Sequence, residues 1–566
     1  MSLAELKHNG NGETVQANYN KFSDHIRRLT PHGIQCSVFC GGANCKYEKP
    51  ENWKADSLAI QGIYSNCLGI KSVINLQCSN EHSSCGQPLE NSGFSYDPNA
   101  FMEHDIYYYN FAWKDYGDAT LEGLLNMVKV VAFALSEGRV AIHCHAGLGR
   151  TGVLIACFLV YSLRVTANEA IRFVRLKRPG SVQTRGQILC VRHFAQFILP
   201  QTITYFLRDN VAKDKYMNEF TLHRYLRRQK VVLHGYEERN FKYLPKIVYN
   251  ICERILKLCT CDEPKNNDNA NKSFTRDFLT DKIFKASNCS IASIPSPTSE
   301  TSYFSSPTIE LPTPFSSTTS EDGDLSDTFS EISNLDGEAL GEDFLLENKC
   351  FQELETQKKF CQDSVEEVLV VQSVDEVVNA LLQDFDSFSY DTKRKIRQYE
   401  NEINSTKLGW MRLSVETNLN ILASLLFEWF EGLKTPILQL EHFENIVVMY
   451  KQPEECFHKI GLEECYLIEY ILLFISKLRP INPTAVQDVL KRIIGSLSKH
   501  TINLNSTTVP SGKSFKKIGE GTLSCTLEFF QSMIGLIENH HGQNISSSTL
   551  DEKKSCNDFH NPEIGL

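Results

Sequence analysis

The spacing of apolar positions divides the chain into five stretches. Residues 1–20 are polar and predict a flexible N-terminus. From about 21 to 261, short β-rich runs alternate with helical periodicity, the pattern of an α/β domain. Gly69 to Gln77 (GIKSVINLQ) predicts a strand entered by a glycine turn, and Asp105 to Phe111 predicts another. Apolar positions at helical spacing run over 119–137, and Arg139 to His143 (RVAIH) reads as a short buried strand. A helix is predicted from Thr151 to about Leu163. The next is opened by the capping-box pattern Thr166-Ala-Asn-Glu169 and ended by Arg178-Pro179-Gly180. A third begins over 187–199, and two amphipathic helices near 217–231 and 242–258 close the region.

Residues 262–345 are rich in Ser, Thr, Asp, Asn and Pro, with Ile and Phe scattered singly. Such a stretch buries too little apolar surface to offset chain entropy, so it reads as a disordered linker. Ser296-Pro297, Ser306-Pro307 and Thr313-Pro314 within it have the form of proline-directed phosphorylation sites. From 346 to 505 the periodicity is that of buried helices, as in Asn418 to Phe430 (NLNILASLLFEWF) and Tyr466 to Ile475 (YLIEYILLFI). The remainder, 506–566, is polar and reads as a flexible tail.

Composition narrows the class. In 566 residues, 58 Lys+Arg stand against 69 Asp+Glu, a formal charge of −11, which argues against a general nucleic-acid binder. The 19 cysteines are odd in number and irregularly spaced, as in reduced thiols rather than a disulfide framework. The first residues lack the apolar core of a secretory leader, and no run of apolar residues is long enough for a membrane span. These features predict a cytosolic or nuclear setting, in which the sequons at Asn271, Asn288, Asn404, Asn505 and Asn544 stay idle.

The stretch with chemistry in it is His143-Cys-His-Ala-Gly-Leu-Gly-Arg150-Thr151-Gly152. A strand delivers Cys144, a loop of His145, Ala146, Gly147, Leu148 and Gly149 follows, and Arg150 and Thr151 open a helix. This pattern predicts an anion trap with a nucleophile at its base. The glycines let successive N–H groups face one concavity, and the helix adds its positive end. Arg150 can grip two phosphate oxygens, and the same field favours the thiolate of Cys144. A thiolate facing a phosphoryl group can attack it and form a phosphocysteine, with the Thr151 hydroxyl placed to hydrogen-bond the sulfur as it leaves. His143 is expected to orient the loop, while His145 and Leu148 are expected to face substrate.

HCHAGLGRTG is similar to the signature loop of cysteine-dependent protein phosphatases of the dual-specificity type. With NFAWKDYGD, RPGSVQTRGQ and HRYLRRQKVVLHGYEERNFKYLPKIVYNICERIL, it resembles the protein tyrosine phosphatase domain-containing protein 1 family. The resemblance implies a central sheet flanked by helices, followed by the linker and an all-helical domain. It implies that Trp113-Lys114-Asp115 is the mobile acid loop, with Asp115 the general acid and Asp118 its rival. It implies that Gln187, with Gln183 beside it, lies next to the site and positions the hydrolytic water; Trp113 is a packing residue. The implied substrate is a phosphoprotein, on Tyr or Ser/Thr, since lysines that would suit an inositide head group are absent from the loop. No cofactor or metal is called for. The family also implies a role in cilium formation or maintenance, at the centrosome or cilium base.

The sequence departs from that pattern in two places. The stretch from Asn52-Trp53 to Gln77 is short, so an edge strand and a helix are expected to be missing. Cys78-Ser79-Asn80 also stands where an Arg-Pro-Gly-like turn is expected before Glu81-His82. These leave open a second reading, a catalytically impaired scaffold. Weaker signals are His32, Cys36, Cys40 and Cys45, without paired metal-ligand spacing, and Cys67, Cys78 or Cys85 as disulfide partners of Cys144. The basic cluster Arg224, Arg227, Arg228 and Lys230 reads as a solvated helix face. LASLLFEWFEGLKTPILQLEHFENI faintly resembles Rho GTPase-activating domains but lacks an arginine finger. Residues 346–505 are therefore read as a binding module for a small GTPase or scaffold partner.

Overall fold

Three short parallel strands run side by side in the order β2-β1-β3, with β1 at Ile70–Asn75, β2 at Tyr107–Asn110 and β3 at Arg139–His143. The computed structural model describes residues 69–83, 88–115, 117, 119–206, 220–259, 278–288, 348–363, 371–479, 481–504 and 507–555. The expected loss of an edge strand and helix, and the cysteines before Gly69, lie outside the described residues.

Between β1 and β2 stands α1 (Pro98–Glu103), and α2 (Leu121–Glu137) links β2 to β3. Thr120 caps α2 by accepting from Gly123 N, and Gly138 ends it. After β3 come α3 (Arg150–Leu163), α4 (Ala167–Lys177) and α5 (Arg185–Ile198). The α3 sequence, RTGVLIACFLVYSL, has no polar face, and the helix is accordingly buried nearly all round. The strand β3, expected to be buried, is only half-buried beyond an exposed first residue.

At Thr166 the expected capping box is half made. The Thr166 hydroxyl accepts from Glu169 N, but the Glu169 carboxylate accepts from Lys349 N at 3.2 Å, at the start of the helix Lys349–Asp363. A complete box forms instead at Thr184 and Gln187.

In the second half the packing crosses the expected domain boundaries. Helices Leu222–Val232 and Lys246–Leu258 bury their main apolar faces away from the core of the sheet, which Val231 and Val232 at the end of the first helix still touch. Their apolar faces share one core with the C-terminal helices, including Ile247, Ile251, Ile255, Leu422, Trp429, Leu472 and Phe529. An amphipathic helix shows which face is buried, not which partner covers it. The expected linker likewise contains the helix Leu279–Asn288, whose first N–H groups, at Leu279 and Thr280, donate to the buried Glu469 carboxylate. The expected tail carries strand residues Thr507–Val509 and the helix Glu520–Ser555, with Phe529, Phe530, Met533 and Ile537 fully buried. Those four fall on one helical stripe, which overrides the polar average of the segment. The basic cluster is solvated at Arg224, Arg227 and Lys230, whereas Arg228 lies over the Phe220 ring at 5.0 Å.

The two halves meet at the far end of α3. Arg164 closes that helix in a left-handed conformation and donates from Nη1 to Ile403 O, with its guanidinium 5.9 Å from the Trp410 ring centre. Asn404 joins the same contact, accepting from Thr204 N at 2.7 Å and Tyr205 N at 2.8 Å.

Candidate active site

Strand register brings the chemistry together. Asn75 pairs with both Asn110 and His143, so the three strands end level and their following loops leave from one edge. Leu76 N donates to His143 O (2.9 Å) and Trp113 N to Leu76 O (3.2 Å), which carries the three segments a step further in company. In open parallel sheets the carboxyl edge is where ligands bind.

Cys144 follows β3 and is 6% exposed. His143 fixes the backbone beside it. Its Nδ1 donates to Cys144 O at 3.3 Å, so its Nε2 accepts from the Tyr96 hydroxyl at 2.7 Å. Burial lowers this imidazole to about 4, which keeps it neutral, as that pair of bonds requires.

In the loop the two glycines do different work. Gly147 sits at φ +70°, a conformation that suits glycine. Gly149 has negative φ but is packed so closely that a Cβ would come 2.6 Å from Gln187 Nε2 and 3.5 Å from Gln183 Oε1. Both glutamines therefore lie against the loop. Gln187 Oε1 is engaged by Gln183 N at 2.7 Å, which leaves its amide nitrogen as the end turned to the loop. Gly149 offers α3 no side-chain cap, so the first-turn donors of that helix are not claimed by one. Ala146 is exposed and Leu148 half-buried, but His145 turns inward against another imidazole instead of facing outward alone.

Arg150 is nearly fully buried and held from several sides. Nη1 donates to Trp113 O (2.6 Å), Glu81 Oε2 (2.9 Å) and Leu76 O (3.2 Å), while Nη2 pairs with Glu81 Oε1. Asp115 Oδ1 lies 3.3 Å from Nε, close enough to pair charges without the alignment of a hydrogen bond. Burial disfavours the guanidinium, but Glu81 and Asp115 more than offset this and raise its proton affinity. Trp113 tightens the loop that carries Asp115 by donating from Nε1 to Gly117 O at 3.0 Å. Asp118 lies outside the described residues.

Thr151 departs from expectation. Its hydroxyl is buried and has no hydrogen-bond partner among the described residues, so the anticipated bond to the Cys144 sulfur is not made. As the second residue of α3, its side-chain direction is set by the helix rather than by the loop.

Two residues with no predicted role, Glu81 and His82, stand at the centre of the site. Cys78-Ser79-Asn80 makes the turn that Arg-Pro-Gly was expected to make, with Asn80 at φ +62° where asparagine substitutes for glycine. Glu81 Oε2 accepts from Cys78 N at 3.2 Å and so locks that turn. Burial would raise the Glu81 carboxyl, but its hydrogen bonds with His82 and Arg150 hold it below the usual carboxylate range. His82 Nε2 lies 3.2 Å from Asp115 Oδ2 and 3.3 Å from Glu81 Oε1. Burial works against its charge, but the two carboxylates raise it to about 9. Its ring stacks on His145 at 3.9 Å and 8°, and burial together with the His82 charge drives His145 down to about 3. Asp115 is held low by His82 and Arg150 despite its burial. Glu81, His82 and Asp115 have ligating atoms close enough for a cation, but the Arg150 guanidinium already occupies the carboxylates.

A strand-borne cysteine, a glycine loop running into a helix led by a gripped arginine, and a carboxylate on the adjacent loop are the parts that a cysteine-dependent phosphatase needs. In agreement, residues 59–196 match the family model described as the dual specificity phosphatase catalytic domain. Over a longer stretch the chain is similar to proteins named protein tyrosine phosphatase domain-containing protein 1. It is 48% identical to that of Danio rerio over 270 residues, covering 43% of this chain and 37% of that protein. To that of Bos taurus it is 49% identical over 282 residues, covering 45% of this chain and 34% of that protein. The matched region thus spans about a third of the length of these curated relatives. Among solved structures, Tk-PTP in the active form is 24% identical, covering 24% of this chain and 85% of that one, with a TM-score of 0.21.

Proposed function

We propose that this chain hydrolyses phosphate monoesters on proteins, at tyrosine and/or at serine or threonine, through a phosphocysteine intermediate. The observation that carries this reading is the meeting of Cys144, Arg150 and Asp115 at one strand edge, with Arg150 oriented by Glu81. The Cys144 thiolate attacks phosphorus in line, and the ester P–O bond breaks with its electron pair on the leaving oxygen. Asp115 gives that oxygen its proton. Water then attacks the phosphocysteine and passes a proton to the Asp115 carboxylate, and the sulfur leaves as thiolate.

Asp115 must be protonated for the first step, although its pairing here favours the anion. An arriving phosphate dianion supplies the reversal, because it takes the Arg150 charge for itself and places negative charge beside the carboxyl. Full-length protein and its Cys144→Ser variant, assayed on a generic aryl phosphate, test the reading. Turnover by the first and not the second is expected; equal rates would overturn it. A panel of phosphotyrosyl, phosphoseryl and phosphothreonyl peptides beside inositides then fixes the substrate, with inositides expected to be poor. By sequence resemblance alone, we also propose work at the cilium base and a small-GTPase or scaffold partner for residues 346–505. Imaging of the tagged chain and affinity capture with its helical half test these two proposals.

A further inference from the structure

We propose that His82 is a positioning residue for the proton-transfer step: it holds the Asp115 carboxyl over the phosphate loop while Arg150 turns to the substrate. The inference rests on the phosphatase reading above. Asp115 has two cationic neighbours, with Oδ1 facing Arg150 Nε at 3.3 Å and Oδ2 facing His82 Nε2 at 3.2 Å. A phosphoryl group bound in the loop competes for the first of these. The second remains, and it sets where the carboxyl stands when the leaving oxygen needs its proton.

His82 is built for this task from three sides. Its backbone is left-handed at φ +56°, which aims the ring away from the chain's own path and into the site. The ring is nearly fully buried and stacks parallel on His145 of the phosphate loop at 3.9 Å, so the loop after β1, which meets Asp115 through His82, is tied to the phosphate loop through one pair of imidazoles. Glu81 Oε1, at 3.3 Å, lies against the same Nε2 while also gripping Arg150. Displacing His82 therefore frees Asp115 without removing the Glu81–Arg150 pair. The charged and titratable groups facing His82 are Glu81, Asp115 and His145, with Arg150 behind them.

The test is a leaving-group comparison on the full chain. His82→Asn suits the left-handed backbone, which asparagine tolerates, and its shorter side chain does not reach Asp115. A phosphotyrosyl or phenyl ester needs a proton on its leaving oxygen, whereas a nitrophenyl ester leaves as a stable phenolate. General acid catalysis is worth about 10²–10⁴-fold, so loss of positioning should slow the phenyl ester about 10- to 100-fold and the nitrophenyl ester less than about threefold. In the Asp115→Asn background the same change should add almost nothing, because one effect runs through the other. Equal slowing of both esters, slowing of neither, or a full further loss on top of Asp115→Asn would each overturn the role of His82. Wild-type turnover of the nitrophenyl ester keeps those failures separate from failure of the phosphatase reading. A wild-type chain inert on every ester would remove that reading, and this inference with it.

Discussion

Replacing Glu81 by glutamine removes one charge from the pair that holds Arg150 and changes almost nothing in volume. In the native site both Glu81 oxygens face donors. Oε2 accepts from Arg150 Nη1 at 2.9 Å and Cys78 N at 3.2 Å, and Oε1 faces Arg150 Nη2 and His82 Nε2. A glutamine amide has one oxygen and one NH₂ group, so either orientation sets a donor against donors. Breaking a buried ion pair by removing one partner costs about 3–5 kcal/mol. Arg150 keeps the Trp113 and Leu76 carbonyls at 2.6 and 3.2 Å and the Asp115 charge at 3.3 Å, which puts the expected loss at the lower end. With about 3 kcal/mol lost and about 2–4 °C per kcal/mol for a unit of this size, the melting transition of the catalytic half should fall by about 6–12 °C. Thermal unfolding followed by tryptophan fluorescence is the assay, since Trp113 touches Arg150 through its carbonyl. Glu122→Gln on the exposed face of α2 is the control, expected within about 0.5 kcal/mol of wild type. A Glu81→Gln chain that melts within about 2 °C of that control would refute the argument that this pair holds the site.

Stability should also depend on pH through His82. Its folded value of about 9 lies above the ordinary 6.5, so its contribution is full below about 6.5 and disappears as pH rises through 9. Melting temperatures of wild type should therefore decline from pH 6.5 to 9.5, and those of His82→Asn should decline less; parallel curves would argue against it. Glu81 and Asp115 are depressed and act in the opposite window, losing their contribution as pH falls below about 4. A chain ended at residue 261 should associate or precipitate. It exposes Ile247, Val248, Ile251, Ile255 and Leu258, which are buried against the C-terminal helices. A monodisperse monomer of that fragment in size-exclusion chromatography would contradict the shared core.

Much of the site was legible because its parts are close in sequence. Cys144, the glycines, Arg150 and the opening of α3 occupy seven consecutive positions, so strand, loop and helix signals coincide there. Asp115 was reachable through its resemblance to an acid loop. Glu81 and His82 were visible as a departure point in the sequence but carried no role, because a glutamate and a histidine after a turn are ordinary. Their importance comes from partners 69 and 33 residues away, Arg150 and Asp115. The same limit applies to the helices at 222–258 and the helix over 520–555, whose apolar stripes were readable but whose partners were not.

By itself the sequence determined the period of each helix and strand, and the cysteine and the arginine of the loop, because these follow from local spacing and backbone sterics. Only the tertiary structure decided which loops share a strand edge, which imidazole carries the charge, and which core claims each amphipathic helix. Those outcomes depend on strand register and on burial beside particular charges, and both are set by residues far apart in the chain.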